Sequence, residues 1–213
     1  VAITGVLGAG KSRLLSALFG AARLAGGTMR LAGRPYRPAS PREAIDAGVA
    51  MAGEDRHRSS LMPPGWPGES IAATISLPHL ARWYPSGLVT AGKETARATA
   101  AIARLGIRAG GPAASVWTLS GGNQQKVVLA RWEAEPGTLL LLDEPFQGID
   151  VGARRDLIAA IRSQAARATL IATSDPEEAI EVADRVLVMD HHSLREPEPA
   201  RGDEEAPALE ASR

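Results

Sequence analysis

The feature that most constrains the fold is the stretch Gly5-Val6-Leu7-Gly8-Ala9-Gly10-Lys11-Ser12. It fits the phosphate-binding loop pattern G-x-x-x-x-G-K-[ST], in which glycines let the backbone curl until several N–H groups point at one anion. Lys11 is expected to reach the outer phosphates, and the hydroxyl of Ser12 to ligate Mg²⁺. A predicted strand over residues 1–4 precedes the loop, and a predicted helix over residues 11–22 follows it. The loop therefore lies at a helix N-terminus, which favours phosphate and argues against a chance match in a glycine-rich turn. The candidate nucleotide-binding residues of this loop are Gly5, Gly8, Ala9, Gly10, Lys11 and Ser12.

The pattern of apolar runs predicts an α/β chain. Short apolar runs typical of strands buried in a parallel sheet occupy residues 48–52, 138–142, 168–173 and 185–189. Helices are predicted over residues 41–47, 91–105 and 151–166, after Ser120 as far as residue 132, and after Ser174 or Asp175. The run at 138–142 closes with Asp143 and Glu144. Two acids therefore lie at the carboxyl end of a strand, where ligands bind in open α/β sheets.

Composition excludes several classes of protein. The 213 residues carry 24 Lys+Arg and 24 Asp+Glu, so there is no excess of positive charge for holding nucleic acid. Cysteine is absent, which excludes disulfides and thiolate metal sites. No apolar run is long enough to span a membrane, so we expect any membrane association to come through a partner. Because the sequence begins directly on a strand, we expect a cut domain with an unpaired sheet edge, weak stability and weak ATP affinity in isolation.

Three further motifs follow the phosphate loop: Leu119-Ser120-Gly121-Gly122-Asn123-Gln124-Gln125, then Leu142-Asp143-Glu144-Pro145, then Gly148-Ile149-Asp150. The four patches resemble, in order, the phosphate loop, signature motif, Walker B motif and D-loop of the ATP-binding-cassette (ABC) ATPases. This resemblance implies a P-loop NTPase fold with ATP and Mg²⁺ as cofactors. The sheet would be mainly parallel and flanked by helices, with a small, N-terminally truncated antiparallel β part and a helical subdomain over about residues 61–132. The ATPase domain would cover residues 1–190, and a disordered tail residues 191–213.

The resemblance also gives the acids and the signature residues their roles. Asp143 can hold Mg²⁺ through water beside Ser12, and Glu144 can polarise the attacking water. Two cassettes would pair head to tail, so that each ATP lies between one phosphate loop and the signature of the other chain. The candidate signature contacts to the partner's ATP are Ser120, Gly121, Gly122 and Gln124, and the candidate D-loop residue is Asp150. The plainer alternatives are a pair of helix-capping acids and a Ser-capped helix start.

A finer resemblance points to one subtype of the family. Gly53-Glu54-Asp55-Arg56, the signature through Lys126, and Gly148-Ile149-Asp150-Val151-Gly152-Ala153 resemble the second cassette of monosaccharide importers of the ribose, galactose and xylose type. The implied partners are a second cassette, membrane permease subunits and, indirectly, an extracytoplasmic solute-binding protein. No nucleic-acid partner is implied, and the implied location is the cytoplasmic face of the membrane.

Some positions depart from the common pattern. Glu54 stands where most active cassettes carry Gln, and it can ligate Mg²⁺ or sense the γ-phosphate. Ser174 stands where most carry His, and its shorter side chain predicts slow hydrolysis at this chain's own site. Phe146 replaces the usual Thr or Ser after Glu-Pro, without an explanation from the sequence. His57 is expected in a solvated basic loop.

Three functions remain open from the sequence. The first is an ATP-hydrolysing subunit that energises an importer. The second is a catalytically degenerate module that binds nucleotide and completes a partner cassette's site without hydrolysing much itself. The third, a soluble ABC ATPase of DNA repair or translation, is disfavoured by the neutral charge. Residues 61–87, rich in Pro, Gly and Trp, are predicted to be a poor core segment and a contact surface.

Overall fold

The computed structural model describes residues 1–164 and 167–197. The strands are β1 Ala2–Thr4, β2 Met29–Leu31, β3 Arg34–Tyr36, β4 Val49–Ala52, β5 Leu139–Asp143, β6 Ala168–Ala172, β7 Val186–Asp190 and β8 Ser193–Arg195. The helices are α1 Lys11–Leu18, α2 Pro41–Asp46, α3 Arg56–Ser59, α4 Ile71–Ser76, α5 Leu80–Trp83, α6 Ala91–Leu105, α7 Gly121–Glu133, α8 Val151–Arg162 and α9 Pro176–Val182. No helix in these two ranges is long and apolar enough to cross a membrane.

The main sheet is parallel except at one edge. Its six strands lie in the order β4-β5-β6-β1-β7-β8, and only β8 runs antiparallel to its neighbour. The strand that leads into the phosphate loop, β1, lies between β6 and β7 near the centre. A separate antiparallel pair is formed by β2 and β3. The parallel arrangement aligns the carboxyl ends of β1, β5 and β6 at one edge of the sheet, which positions the candidate site.

The core lies on both faces of β5. Leu140 and Leu141 on this strand are fully buried on opposite faces, in two different apolar clusters. Full burial of such a side chain contributes about 1.5–3 kcal/mol relative to exposure. The larger cluster continues into α7 through Val127 and Val128, which are also buried. The helical subdomain therefore shares one core with the sheet.

The prediction that residues 61–87 form a poor core segment is wrong for α4. Ser70 caps this helix by accepting a hydrogen bond from the backbone N–H of Ala73. Ile71 and Ile75, four residues apart on one face, are fully buried against the large cluster. Six residues are too few to show a helical period among Pro and Gly, so the pattern was hidden.

The predicted ends of two helices also differ from the structure. The helix predicted to reach residue 22 ends at Leu18, and Gly20 follows with φ of 73°, a conformation that a helix cannot continue. The prediction for α8 extended to residue 166, whereas the helix ends at Arg162. Residues 165–166 lie outside the described residues.

The predicted disorder from residue 191 is wrong at its start. β7 turns back into β8 through His191 and His192, whose φ values of 43° and 63° suit a two-residue hairpin turn. Leu194 pairs with Met189 in the register, and Arg185 forms an ion pair with Glu196. These contacts order the segment. Residues 198–213 lie outside the described residues.

Candidate nucleotide-binding site

The ends of β1 and β5 bring the phosphate loop and the two acids together. The Ser12 hydroxyl donates a hydrogen bond of 3.1 Å to Asp143 Oδ1, across 131 positions of sequence. The Lys11 Nζ lies 3.9 Å from Glu144 Oε1. Four residues predicted to share a site are therefore in direct contact as two pairs, a hydroxyl with a carboxylate and an ammonium with a carboxylate.

The phosphate loop presents the open N-terminus of α1. The N-cap residue is Gly10, in a left-handed conformation with φ of 107°. Because glycine has no side chain, it makes no capping hydrogen bond to the first turn. The backbone N–H groups there are left for an anion. Lys11 is buried, and its Nζ donates to the backbone oxygens of Gly5 at 2.6 Å and Val6 at 3.3 Å. Gly8 is also in a positive-φ conformation, with φ of 83°, as the tight turn of the phosphate loop requires.

Asp143 is a buried carboxylate in an acidic surrounding. Its pKa is raised to about 6, chiefly by burial and also by the charges of Glu54 and Glu144, against the lowering effects of the Ser12 hydrogen bond and the charge of Lys11. The donors gathered here are hydroxyl and carboxylate oxygens, which suit the hard cation Mg²⁺. A bound cation would also offset the repulsion among the three acids. Ser12 and Asp143 therefore fit the metal site that the sequence predicts.

The raised pKa predicts that Asp143→Asn stabilises the nucleotide-free and Mg²⁺-free chain. The native state binds more protons than the unfolded state between pH 4 and pH 6, so this group's contribution to stability falls as pH rises through that window. We expect the variant to exceed the wild type by up to about 3 kcal/mol in the free energy of unfolding at pH 8. The gain should shrink as pH falls from 6 to 4, as measured by urea unfolding. Asp184→Asn, which changes a carboxylate that is 96% exposed, serves as the control and should change little. A gain for Asp143→Asn that is equal at pH 8 and pH 4 would contradict the prediction.

Glu144 is held in a strained conformation beside the phosphate loop. Its φ is 45°, uncommon for a residue with a side chain, and its backbone N–H donates to the Ala172 oxygen at 2.8 Å. Its side chain is 12% exposed. The next helix, α8, is capped by Asp150, whose side chain accepts from the Ala153 N–H. The alternative of a helix-capping acid pair therefore does not describe Asp143 and Glu144.

The end of β6 carries polar residues that the sequence did not single out. Ser174 lies here and is exposed, but the residue before it, Thr173, is fully buried and donates to Glu178 Oε2 at 2.6 Å. Burial raises the pKa of Glu178, and Glu144 adds to this effect. Arg154 on α8 lies 3.6 Å from the Glu178 carboxylate. The one sequence signal for the cluster of Thr173, Glu178 and Arg154 was the predicted capped start of α9, whose first turn contains Glu178.

Phe146 receives a structural explanation. Its ring is 4% exposed and belongs to the large apolar cluster, and the guanidinium of Arg154 lies 5.9 Å from the ring centre. A Thr or Ser at this position would fill less of the core. The residue therefore packs the loop after the acid pair against the sheet.

The signature motif begins α7 at the surface. Ser120 is the exposed N-cap residue, but its hydroxyl accepts from the Asn123 side chain at 2.9 Å and makes no capping bond to the backbone. Ser120 is therefore at the N-cap position that the plainer alternative predicts, but its side chain does not cap the helix. Gly122 is buried, and a Cβ there would lie 2.3 Å from the Cβ of Ala153, so that only glycine lets α7 and α8 approach this closely.

Gln124 is the signature residue that the structure does not place at the surface. Its side chain is 5% exposed, and its amide is hydrogen-bonded to groups inside the chain. It does not share the exposed position of Ser120 from which a partner's nucleotide could be contacted. His57, expected in a solvated loop, is one of the groups bonded to it. Asp150 remains exposed, and its hydrogen bond from Ala153 lowers its pKa.

A phosphate loop after the central strand β1, an acid pair at the end of β5 two strands away, and a helical subdomain with a surface signature together define a nucleotide-binding cassette. The sequence profile described as ABC transporter matches residues 1–147. The chain therefore belongs to the ABC transporter family, which confirms the resemblance.

Several curated relatives carry names of sugar importers. The chain is 41% identical over 192 residues to the arabinose import ATP-binding protein AraG 2 of Burkholderia thailandensis, an alignment that covers 89% of this chain and 36% of the relative. It is 39% identical over 189 residues to the ribose import ATP-binding protein RbsA of Chromobacterium violaceum, with 88% and 37% covered. It is 38% identical over 196 residues to the xylose import ATP-binding protein XylG of Burkholderia ambifaria, with 91% and 37% covered. The chain thus spans little more than a third of these relatives.

A solved structure confirms the fold. The chain superposes with a TM-score of 0.76 on the ATP-binding cassette MJ0796, determined as a dimer in a post-hydrolysis state bound to ADP and Pi. The alignment covers 94% of this chain and 85% of the other, at 17% identity. The predicted mainly parallel sheet, flanking helices and small antiparallel part are therefore the fold of an ABC cassette.

Proposed function

We propose that this chain binds MgATP and hydrolyses it to energise an ABC importer for a monosaccharide. The observation that carries the ATPase part is the pairing of Ser12 with Asp143 and of Lys11 with Glu144 at one edge of the sheet. The solute class rests on the relatives, which are named as arabinose, ribose and xylose import proteins.

Each residue of the site has a part in the proposed reaction. The phosphates lie on the N-terminus of α1, held by the backbone of the phosphate loop and by Lys11. Ser12 and Asp143 would hold Mg²⁺, which would neutralise charge on the phosphates. Glu144, whose carboxylate is 12% exposed and lies 3.9 Å from Lys11 Nζ, orients and polarises the attacking water. Glu54 senses the γ-phosphate from the end of β4.

The departure at Ser174 supports slow turnover at this site. Ser174 is exposed and short, so it reaches less far toward a γ-phosphate than a His in the same place would. Loss of one such transition-state contact costs about 10²–10³ in rate. The alternative of a degenerate module that hydrolyses little finds no support among the relatives, and both acids of the site are present.

The surface position of Ser120 supports pairing with a second cassette. In the proposed head-to-tail dimer the signature of each chain completes the ATP site of the other. Membrane permease subunits would hold the pair at the cytoplasmic face of the membrane, and an extracytoplasmic solute-binding protein would act on it indirectly. No nucleic acid takes part.

Reconstitution tests the proposed function. The full protein is purified from membranes together with its co-purifying subunits, placed in liposomes, and assayed for phosphate release. We expect a solute-binding protein loaded with arabinose, ribose or xylose to raise ATP turnover severalfold, and the same assembly with maltose to stay at the basal rate. Stimulation by a solute that is not a sugar would overturn the solute class. Failure to recover any membrane subunit would overturn the transport role.

A further inference from the structure

The strained backbone of Glu144 is part of a turn that other contacts must hold in place. A φ of 45° at a residue with a side chain persists only where the surroundings fix it. The backbone N–H of Glu144 donates to the Ala172 oxygen at 2.8 Å, and its carbonyl oxygen accepts from the N–H of Gln147 at 3.2 Å. The second bond closes a turn over Pro145 and Phe146. The turn therefore moves as a unit, and its hydrogen bond to Ala172 holds only its first residue.

Arg154 contacts this turn from the first part of α8. Its guanidinium carbon lies over the Phe146 ring, 5.9 Å from the ring centre, which is within the range of a cation–π interaction. The Phe146 ring is 4% exposed and belongs to the large apolar cluster. A residue in the middle of the turn is thus held between the core on one side and a charged side chain on the other.

The same guanidinium contacts two carboxylates on α9. Its Nη1 lies 3.6 Å from Glu178 Oε1, and its Nη2 lies 2.6 Å from Glu181 Oε2. Glu178 in turn accepts a hydrogen bond of 2.6 Å from the hydroxyl of the buried Thr173. Thr173 directly follows Ala172, the residue whose oxygen holds the first N–H of the turn. Through Glu178, Arg154 therefore reaches the end of β6 as well as the turn.

We infer that Arg154 is a positioning residue that holds Glu144 in place for its reaction with water. The inference rests on the proposed function, in which Glu144 polarises the attacking water. Arg154 joins the ring of Phe146, two residues after Glu144, to the carboxylate of Glu178 behind the end of β6. The turn then cannot shift away from β6, and the Glu144 carboxylate stays 3.9 Å from Lys11 Nζ. Arg154 itself acts only through Glu144 and does not contact the nucleotide.

Kinetics of the assembled cassette pair, with the same partner cassette throughout, test this role. In Arg154→Ala we expect kcat for ATP to fall about 10- to 100-fold, because small displacements of a catalytic group have effects of this size. KM for ATP should change less than threefold, since no contact of Arg154 involves the phosphate loop.

The decisive comparison uses a chain that already carries Glu144→Gln. In that background Arg154→Ala should lower the rate no further, because two changes that act through one carboxylate are not additive. Single-turnover release of labelled phosphate measures the low rates of these variants. A further 10-fold loss in the Glu144→Gln background would mean that Arg154 acts elsewhere and would overturn the inference.

Two variants separate positioning from a folding defect. Arg155→Ala changes the neighbouring exposed arginine on the same helix and should keep the wild-type kcat. Arg154→Lys keeps the positive charge but lacks the planar fork that serves two carboxylates and a ring together. We expect it to lose less kcat than Arg154→Ala, with KM unchanged and a melting temperature within a few degrees of the wild type, and it takes the place of Arg154→Ala in both backgrounds if the latter does not fold.

The outcomes distinguish the inference from the function on which it rests. A wild-type kcat in both Arg154→Ala and Arg154→Lys would overturn the inference alone. Full turnover in Glu144→Gln, or a wild-type assembly without ATP turnover, would overturn the proposed role of Glu144, and the inference with it.

Discussion

ATP turnover in the assembled cassette pair falls by about 10²–10³-fold when Glu144 is replaced by Gln. The amide has nearly the same shape, so the strained backbone and the packing around it are retained. It lacks the negative charge that faces Lys11 at 3.9 Å and cannot accept a proton from the attacking water. Nucleotide affinity should be unchanged or higher, because removal of a carboxylate next to phosphate lowers repulsion. Steady-state phosphate release and a titration with labelled ATP measure the two quantities.

Two further variants decide what an effect at Glu144 means. Glu177→Gln removes an exposed acid in the first turn of α9 and should leave turnover unchanged. Ser120→Arg blocks only the ATP site of the partner. With a catalytically intact partner, the loss of turnover in this variant measures the contribution of this chain's signature to the partner's site. Loss of turnover in Ser120→Arg together with full turnover in Glu144→Gln would make this chain a binding module rather than an enzyme.

The parts of the site that the sequence predicts are those encoded by short continuous motifs. The phosphate loop, the acid pair and the signature each occupy consecutive residues, and each carries its own local signal in glycines, capping residues or a buried apolar run. Their assembly was also predictable, because ligands bind at the carboxyl ends of parallel strands. That rule places Ser12 and Asp143 at the same edge of the sheet, and the structure adds that they are hydrogen-bonded although β6 lies between their strands.

The parts that escaped prediction depend on pairs of residues far apart in sequence. Arg56 and Gln124 are 68 positions apart, and neither residue type distinguishes a solvated side chain from a buried one. Gln124 belongs to the same motif as the exposed Ser120, so its burial could not be inferred from the motif. Thr173 and Glu178 are only five positions apart, but a Thr at the end of a strand and a Glu in the first turn of a helix are each ordinary at those places, so their contact was not predicted.

Gly5 belongs to the phosphate loop, but part of the reason for a glycine at this position lies on another strand. The sequence accounts for it by the curl of the phosphate loop. The structure adds that a Cβ at this position would lie 2.3 Å from the backbone oxygen of Met189 on β7, and that φ is 148°. β7 is also paired in parallel register with β1, in which Thr4 pairs with Val188. We therefore expect that β7 cannot move away from a Cβ atom added at position 5.

Gly5→Ala should therefore destabilise the chain and disable the site together. Positive φ at a non-glycine residue costs about 1–3 kcal/mol, and overpacking against a fixed backbone adds about 1–3 kcal/mol. The backbone oxygen of Gly5 also accepts the 2.6 Å hydrogen bond from Lys11, so its displacement moves the ammonium and should reduce ATP turnover on the order of 10²-fold. Urea unfolding and phosphate release on the same preparation measure both effects.

The matched control for this substitution is Gly27→Ala. Gly27 has φ of 84°, but a Cβ there would meet nothing within 4 Å. It carries the conformational cost without the collision, so we expect a loss of about 1–2 kcal/mol and unchanged turnover. Equal losses of stability in the two variants would mean that β7 yields and that the positive φ alone selects glycine at position 5. A larger loss in Gly5→Ala, accompanied by weaker ATP binding, means that β7 holds the phosphate loop in its binding conformation from behind.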